Sequence, residues 1–265
     1  ILQKAHPEVI ALGIVQIPGL GPGILQQDIR RIGIQGCEDL TVLQKLCPVA
    51  EIALTVGGDG KLTGTSRGYA LRADKDITIN GGTIELSTYY VGIRSCGDVI
   101  INGGNIKLKC NTKETKTLIA LSARNGGNLT INGGDITAMS IVGAGATNGC
   151  VRASGTLTIN GGKLTVNPKR AVGLYAGKAL EINGGIVNIT SPYYGINVGS
   201  KDNPATFTFN GGTVTVMASK SCYSGAHPVL GENVFAYAGA GKKSAEIYDG
   251  TEPKLAGKPW MFLTN

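Results

Sequence analysis

Short runs of alternating apolar and polar residues follow one another along most of the chain, and they meet at a recurring Asn-Gly-Gly tripeptide. The tripeptide begins at six positions: Asn80, Asn102, Asn132, Asn160, Asn183 and Asn210. Successive asparagines are 22, 30, 28, 23 and 27 residues apart, which indicates a repeated unit with loops of variable length. Alternation with a period of two is typical of a strand with one buried face. In each repeat, this pattern predicts one strand before the tripeptide and one after it.

The alternation also predicts which side chains face the interior. Before the tripeptide the inward positions are Ile77/Ile79, Val99/Ile101, Leu129/Ile131, Leu157/Ile159, Leu180/Ile182 and Phe207/Phe209. After it they are Ile84/Leu86, Ile106/Leu108, Ile136/Ala138, Leu164/Val166, Val187/Ile189 and Val214/Val216.

Two folds compete for this pattern. Asn-Gly between two alternating runs is the strongest hairpin signal, which favours an antiparallel meander. A third segment argues against the meander, because roughly nine residues before each tripeptide the chain reads GYALRAD, VGIRSCG, LIALSAR, GCVRASG, VGLYAGK or YGINVGS. Three short strands per repeat, turning at glycine corners, predict an all-β, right-handed parallel β-helix in which the six asparagines stack as an internal hydrogen-bonded ladder.

The repeats imply a single domain with irregular ends. We expect residues 1–31 to form an amino-terminal segment or cap, residues 32–220 the β-helix, and residues 221–265 a carboxy-terminal cap. The last segment has lost the repeat, and its large apolar side chains suit a cap over the open end of the core: Phe235, Tyr237, Trp260, Met261 and Phe262.

Composition narrows the range of partners. The 41 glycines match a chain with many tight turns, and the net charge of +7 favours anionic partners. Nucleic acid is not expected, because only 5% of the residues are aromatic and the basic residues form no dense run. No apolar stretch is long enough to span a membrane. The six cysteines include no CxxC pair and the chain has two histidines, which favours isolated thiols over a zinc site.

The repeat motifs of the chain resemble those of a known family. The pattern G-I-x-x-x-G…(L/I)-x-I-N-G-G-x-(I/L/V)-x-(I/V) is similar to that of bacterial carbohydrate-binding domain-containing proteins that fold as right-handed parallel β-helices. The likeness covers about residues 55 to 220. It implies an extracellular or cell-surface protein that contains calcium and binds acidic, uronate-rich polysaccharide such as polygalacturonate without established catalysis. Because the chain opens at Ile1, we expect any signal or anchor to lie outside this sequence.

Binding residues are expected on the outer side of the third strand, since inward positions form the core. Aligning the third segments gives one outward column: Arg72, Arg94, Ser122, Arg152, Tyr175 and Asn197. Guanidinium groups on neighbouring coils repel each other unless an anion lies across them, and they bind carboxylates bidentately. We therefore predict an acidic-glycan site there, with surface solvation or an Arg72–Asp74 ion pair as the alternative.

Two further groups are candidates. Tyr89-Tyr90 and Tyr193-Tyr194 precede equivalent third strands, where they form either sugar platforms or packing over a corner. Asp76 and Asp98 hold the same outward position in successive coils, with Asp74 two residues away from the first. Stacked carboxylates predict a Ca²⁺ site, with solvated acids shielded by Lys75 and Arg94 as the alternative.

Catalysis is not expected. A calcium-dependent polysaccharide lyase would use Arg94 as its base beside Asp76 and Asp98, and this is the enzymatic alternative. A hydrolase needs cooperating carboxylates, whereas most acids here fall in different columns. A β-helical adhesin or structural surface stalk is the other alternative, and the oligomeric state stays open.

Overall fold

The chain winds into stacked coils, and each coil contributes one strand to each of three sheets. The computed structural model describes residues 15–16, 53–66, 68–110, 119–140, 149–199, 204–248 and 257–265. Within those residues, every strand between Leu54 and Leu230 pairs in parallel with the equivalent strand of a neighbouring coil. The predicted parallel β-helix with three strands per coil is therefore confirmed.

Sheet A contains the strands that precede the Asn-Gly-Gly corners. In the described part of the chain its members, in spatial order, are β1 (Val15–Gln16), β2 (Leu54–Val56), β5 (Ile77–Ile79), β8 (Val99–Ile101), β11 (Leu129–Ile131), β14 (Thr156–Ile159), β17 (Ala179–Ile182), β20 (Thr206–Phe209) and β23 (Pro228–Leu230).

Sheet B follows the corners and sheet C contains the third strands. The parallel members of sheet B are β3 (Lys61–Ser66), β6 (Thr83–Thr88), β9 (Asn105–Cys110), β12 (Asp135–Ser140), β15 (Lys163–Pro168), β18 (Ile186–Ser191) and β21 (Thr213–Ala218). Sheet C consists of β4 (Tyr69–Ala73), β7 (Val91–Ser95), β10 (Ile119–Ala123), β13 (Gly149–Ala153), β16 (Val172–Ala176), β19 (Tyr194–Val198) and β22 (Ser221–Gly225).

The core is a continuous column of aliphatic side chains enclosed by the three sheets. Every residue predicted to face inward on either side of the tripeptide is buried. Equivalent residues lie in register from coil to coil, as in Ile79↔Ile101↔Ile131 on sheet A. The alternation of the sequence is sufficient to predict this core because a strand has only two faces.

The Asn-Gly-Gly tripeptide turns the chain from sheet A into sheet B. The strands on its two sides lie in different sheets and do not pair with each other, so the antiparallel meander is wrong. At each corner the backbone N–H of the asparagine donates to a carbonyl of the preceding coil, as from Asn183 to Ile159 at 2.8 Å. The second glycine takes a left-handed conformation, with φ of +83° at Gly185.

The six asparagines form the predicted ladder, but on the outside of the corner. From Asn102 onward, each Nδ2 donates to the Oδ1 of the preceding asparagine at 2.7 or 2.8 Å, which makes five bonds. All six side chains are exposed, so the expectation that the ladder is internal is wrong. An exposed, continuous amide ladder holds successive corners in register.

We expect the isosteric change Asn160→Asp to lower the free energy of unfolding by about 1 kcal/mol. The carboxylate can still accept from Asn183, but it cannot donate to Asn132 and sets two oxygens against each other. Urea unfolding of this variant and of Asn188→Asp, on the outer side of sheet B, measures the effect. Equal losses in the two variants would show that the ladder contributes nothing.

Both ends of the solenoid depart from the parallel pattern. The parallel strands continue past residue 220 through β22 and β23, after which β24 (Phe235–Gly239), β25 (Glu246–Tyr248) and β26 (Trp260–Thr264) extend sheet B antiparallel. A 3-10 turn spans Lys242–Ser244. At the other end β1 pairs antiparallel with β2. The parallel pairing of the predicted β-helix begins at Leu54. Residues 32–52, and the predicted cap 1–31 apart from Val15–Gln16, lie outside the described residues.

Candidate functional site

The outward position of sheet C places the predicted binding residues in one line. Parallel register joins them in the order Arg72↔Arg94↔Ser122↔Arg152↔Tyr175↔Asn197. We call these six residues the arginine column. Since neighbouring strands are about 4.8 Å apart, the column runs along the solenoid axis with one side chain per coil. Their function as a binding site stays a prediction.

The first two arginines of the column share one aromatic ring. The guanidinium carbons of Arg72 and Arg94 lie 5.5 and 5.0 Å from the ring centroid of Tyr69. Arg72 Nη2 donates to Asp74 Oδ1 at 2.9 Å, so the predicted alternative of an ion pair is present, with both side chains partly exposed. Arg94 Nη1 donates to the hydroxyl of Tyr69, a neutral partner. Tyr69 was not predicted, because it stands three residues before Arg72 and breaks the alternation.

Several hydrogen-bonding groups in this line have no partner. The Nε atoms of Arg72 and Arg94 and the Oγ of Ser122 are buried from solvent, and no described residue bonds to them. A buried donor without an acceptor costs about 1–3 kcal/mol. Because these atoms are closed off from solvent, a ligand lying across the column would meet the partly exposed ends of Arg72 and Arg94 instead.

Arg124, which the aligned segments did not place in the column, lies close to Arg152. Arg152 itself stacks over the ring of Tyr175, with its guanidinium carbon 4.8 Å from the ring centroid. Its pKa is lowered chiefly by burial and also by the positive charge of Arg124, although an arginine remains protonated. Arg124 follows β10 and lies in the neighbouring line, its backbone N–H donating to the carbonyl of Ser95. Four guanidinium groups thus gather on this face, and one of them is paired with Asp74.

Each of the two tyrosine pairs contains one exposed ring and one packed ring. Tyr89 is 49% exposed and Tyr193 is 37% exposed. Tyr90 packs edge-to-face on Tyr69 at 5.3 Å, and the ring of Tyr194 lies 4.9 Å from Lys220 Nζ. Packing therefore accounts for Tyr90 and Tyr194. Sugar binding by the exposed rings of Tyr89 and Tyr193 stays a prediction. The pairs are also offset by one residue, since Tyr194 begins β19 whereas Tyr90 precedes β7.

The carboxylates proposed for calcium make hydrogen bonds between coils. Asp76 Oδ1 accepts the backbone N–H of Asp98 at 2.7 Å, and Asp98 Oδ1 accepts that of Asn128 at 2.7 Å. Asp74 is held by Arg72. No group of three or more His, Cys, Asp or Glu side chains that could hold a metal occurs among the residues that the structure describes. The contacts of the three acids do not form a convergent ligand set, so calcium binding stays a prediction.

The lyase arrangement is likewise not among the observed contacts. Within the described residues, the hydrogen bond made by the Arg94 side chain goes to Tyr69, whereas Asp76 and Asp98 accept backbone N–H groups. The lyase alternative therefore stays a prediction.

No disulfide bond joins the described cysteines. Cys96 is partly exposed, whereas Cys110, Cys150 and Cys222 are buried. Burial raises the pKa of Cys150 and of Cys222 to about 12, so both thiols stay protonated at neutral pH. Cys37 and Cys47 lie outside the described residues.

No described helix has the length and apolarity needed to cross a bilayer.

Comparison with known proteins identifies one family. The model of a family described as carbohydrate-binding domain-containing protein matches residues 44–225, which is more than half of the chain. No curated protein and no solved structure shows a significant match. The matched range contains the whole arginine column and ends before the antiparallel strands that begin at Phe235.

Proposed function

Since the chain belongs to the family of carbohydrate-binding domain-containing proteins, we propose that it binds acidic, uronate-rich polysaccharide along the arginine column. The observation that carries this proposal is the in-register line of Arg72, Arg94 and Arg152 on the outer face of sheet C. The family supports a polysaccharide partner and a binding role without catalysis, and the acidic character of the partner is inferred from the charges of this face.

Charge and hydrogen bonding both favour a polyanion. Arg124 adds a fourth guanidinium group near Arg152, and Arg72 is paired with Asp74. Guanidinium groups bind carboxylates through two parallel hydrogen bonds and hold their charge at any physiological pH. Arg72 and Arg94 are both partly exposed on this face, so a ligand can reach the ends of their side chains.

The direction of the column suits an extended chain rather than a single sugar. A polymer lying along the solenoid axis would meet Arg72 and Arg94 on neighbouring coils about 4.8 Å apart, and then Arg152 two coils further along. Tyr175 and Asn197 continue the same line without charge, and they offer a ring face and an amide to the same polymer. Display outside the cell, where such polymers occur, is part of this proposal.

We expect Arg94→Gln/Arg152→Gln to weaken retention on polygalacturonate by about a hundredfold, since a charged hydrogen bond contributes about 1.5–3 kcal/mol at each position. The matched control is Lys107→Gln/Lys109→Gln, which removes the same charge from the outer face of sheet B. Affinity electrophoresis in gels containing polygalacturonate, at low and high salt, measures retention. An equal loss in the control would show that net charge, and not the column, is responsible.

The same experiment separates the alternatives. Retention of the unaltered chain that disappears in chelator would assign a calcium ion to Asp76 and Asp98. A calcium-dependent rise in ultraviolet absorbance from unsaturated uronide would indicate a lyase. Absence of retention on polygalacturonate under all conditions would overturn the acidic-glycan proposal in favour of an adhesin or stalk.

A further inference from the structure

One corner of the solenoid, between sheet C and sheet A, is longer than the corners stacked above and below it. Strand register aligns its two ends with the neighbouring coils: Ala123 with Ser95 and Ala153, and Leu129 with Val99 and Leu157. Five residues, 124–128, connect the strands at this corner, whereas three do so on each neighbouring coil, 96–98 and 154–156. The coil therefore carries two additional residues here.

The additional pair is Asn125-Gly126. Both residues have left-handed φ angles, +52° and +84°, and the backbone N–H of Gly127 donates to the carbonyl of Arg124 at 2.7 Å, so the pair forms the centre of a type I′ turn. Arg124 and Gly127, on either side, keep backbone hydrogen bonds with the neighbouring coils. The pair itself is exposed, and a Cβ added at Gly126 would meet no atom within 4 Å. It protrudes from the stack.

The same tripeptide, Asn-Gly-Gly, is held tightly at the next corner of this coil. Asn132 Nδ2 donates to Asn102 Oδ1 at 2.8 Å, and Asn132 Oδ1 accepts from Asn160 Nδ2 at 2.8 Å. A Cβ added at Gly133 would lie 2.9 Å from the backbone oxygen of Asn102, so the neighbouring coil restricts this backbone. Within the described part of the chain, no hydrogen bond of this kind holds the side chain of Asn125.

We propose that Asn125 is a site of spontaneous deamidation, and that the asparagine ladder protects the stacked Asn-Gly-Gly corners from the same reaction. Gly126 has no Cβ to shield its backbone nitrogen, which attacks Cγ of Asn125. The new N–Cγ bond closes a succinimide ring, the Cγ–Nδ2 bond breaks, and Nδ2 leaves as ammonia with the proton of the Gly126 N–H. Water then opens the ring to aspartate or isoaspartate, which adds one negative charge.

The ladder slows this reaction because Cγ meets the backbone nitrogen only after the side-chain amide rotates. At Asn132 that rotation breaks two amide hydrogen bonds, one to each neighbouring coil. The loss of both bonds corresponds to a rate about tenfold or more below that of an unrestrained Asn-Gly pair. At Asn125 the side chain rotates without breaking a bond of this kind.

Incubation of the folded chain in heavy-oxygen water at mildly alkaline pH, followed by fragmentation mass spectrometry of its peptides, measures the reaction at each asparagine. Asn125 is expected to incorporate heavy oxygen about tenfold or more faster than Asn132, which shares the tripeptide and is the internal control. In urea the two rates should converge, because the stacking of coils is then lost. A rate at Asn125 no higher than that at Asn132 in the folded chain would overturn the proposal.

A ladder variant tests the protection itself. Asn102→Ala/Asn160→Ala removes both partners of Asn132 and should raise its rate about tenfold. Asn210 keeps its bond to Asn183, at 2.7 Å, and should stay slow. An unchanged rate at Asn132, or an equal rise at Asn210 that reports general unfolding, would overturn the role of the ladder.

The reaction places a carboxylate directly after Arg124, which lies close to Arg152. Its effect on binding rests on the proposed function, whereas the deamidation does not. Asn125→Asp is expected to weaken retention on polygalacturonate about two- to threefold relative to Asn188→Asp, which adds the same charge on the outer side of sheet B. Equal retention in the two variants would overturn this effect. No retention of the unaltered chain would contradict the proposed function and leave the heavy-oxygen result standing.

Discussion

Phe207→Ala is expected to lower the free energy of unfolding by about 3–5 kcal/mol, the range for removing a fully buried phenylalanine from a packed core. Phe207 is completely buried and stands between Leu180 and Pro228 in one inward line of sheet A. The backbones of neighbouring coils are tied together by hydrogen bonds, so they cannot move inward to fill the cavity. Thermal unfolding should record a decrease in Tm of about 10 °C.

The control for this change is the adjacent residue. Thr208 lies between Phe207 and Phe209 but faces outward, so Thr208→Ala should alter the free energy of unfolding by about 0.5 kcal/mol or less. Comparable losses in the two variants would contradict the assignment of inward and outward faces. A loss below about 1 kcal/mol in Phe207→Ala would mean that the last coils unfold before the rest of the solenoid.

The second large effect is expected at an Asn-Gly-Gly corner. Gly185→Ala should lower the free energy of unfolding by about 2–4 kcal/mol, from a strained left-handed backbone and from steric overlap with the neighbouring coil. The φ angle of Gly185 is +83°, and an added Cβ would lie 2.7 Å from the carbonyl oxygen of Gly162. The atoms nearest to the added Cβ, Gly162 O and Gly161 C, belong to the backbone of the neighbouring corner. They cannot move without displacing that corner.

A matched glycine separates strain from overlap. Gly126 has nearly the same φ, +84°, but an added Cβ would meet no atom within 4 Å. Gly126→Ala should therefore cost only the left-handed strain, about 1–2 kcal/mol. Urea unfolding of the two variants gives the difference. Equal losses would show that close stacking of the corners does not limit the residue at this position.

The parts of the structure that could be predicted from the sequence are those that depend on local periodicity. Because the faces of a strand alternate with a period of two, the inward residues from Ile77 to Val216 follow from the sequence alone. The spacing of the repeat then places Arg72, Arg94 and Arg152 in one column, since equivalent residues of stacked coils must be neighbours.

The contacts that decide what those residues do depend on the tertiary structure. Tyr69 lies under two arginines, and Asp76 accepts a backbone N–H from the next coil. The contacts of Tyr69 do not follow from the repeat, because they join positions that are not equivalent. Asp76 and Asp98 are equivalent positions, but their spacing does not predict that the carboxylate of one accepts the backbone N–H of the other. The same holds for the exposure of the asparagine ladder, which depends on the side of the corner to which the side chains point.

The carboxy-terminal cap shows most clearly the difference between what the sequence predicts and what the tertiary structure decides. Its sequence has no repeat, so the aromatic residues near the end indicate only that an apolar surface is covered. The antiparallel pairing of β26 with β21 and β24 decides that Met261 enters the core while Trp260 and Phe262 form an outer surface. The alternating sequence by itself determined the solenoid and its core, because burial of one strand face is a local property. The tertiary structure alone decided which exposed side chains meet, because those meetings depend on strand register between distant segments.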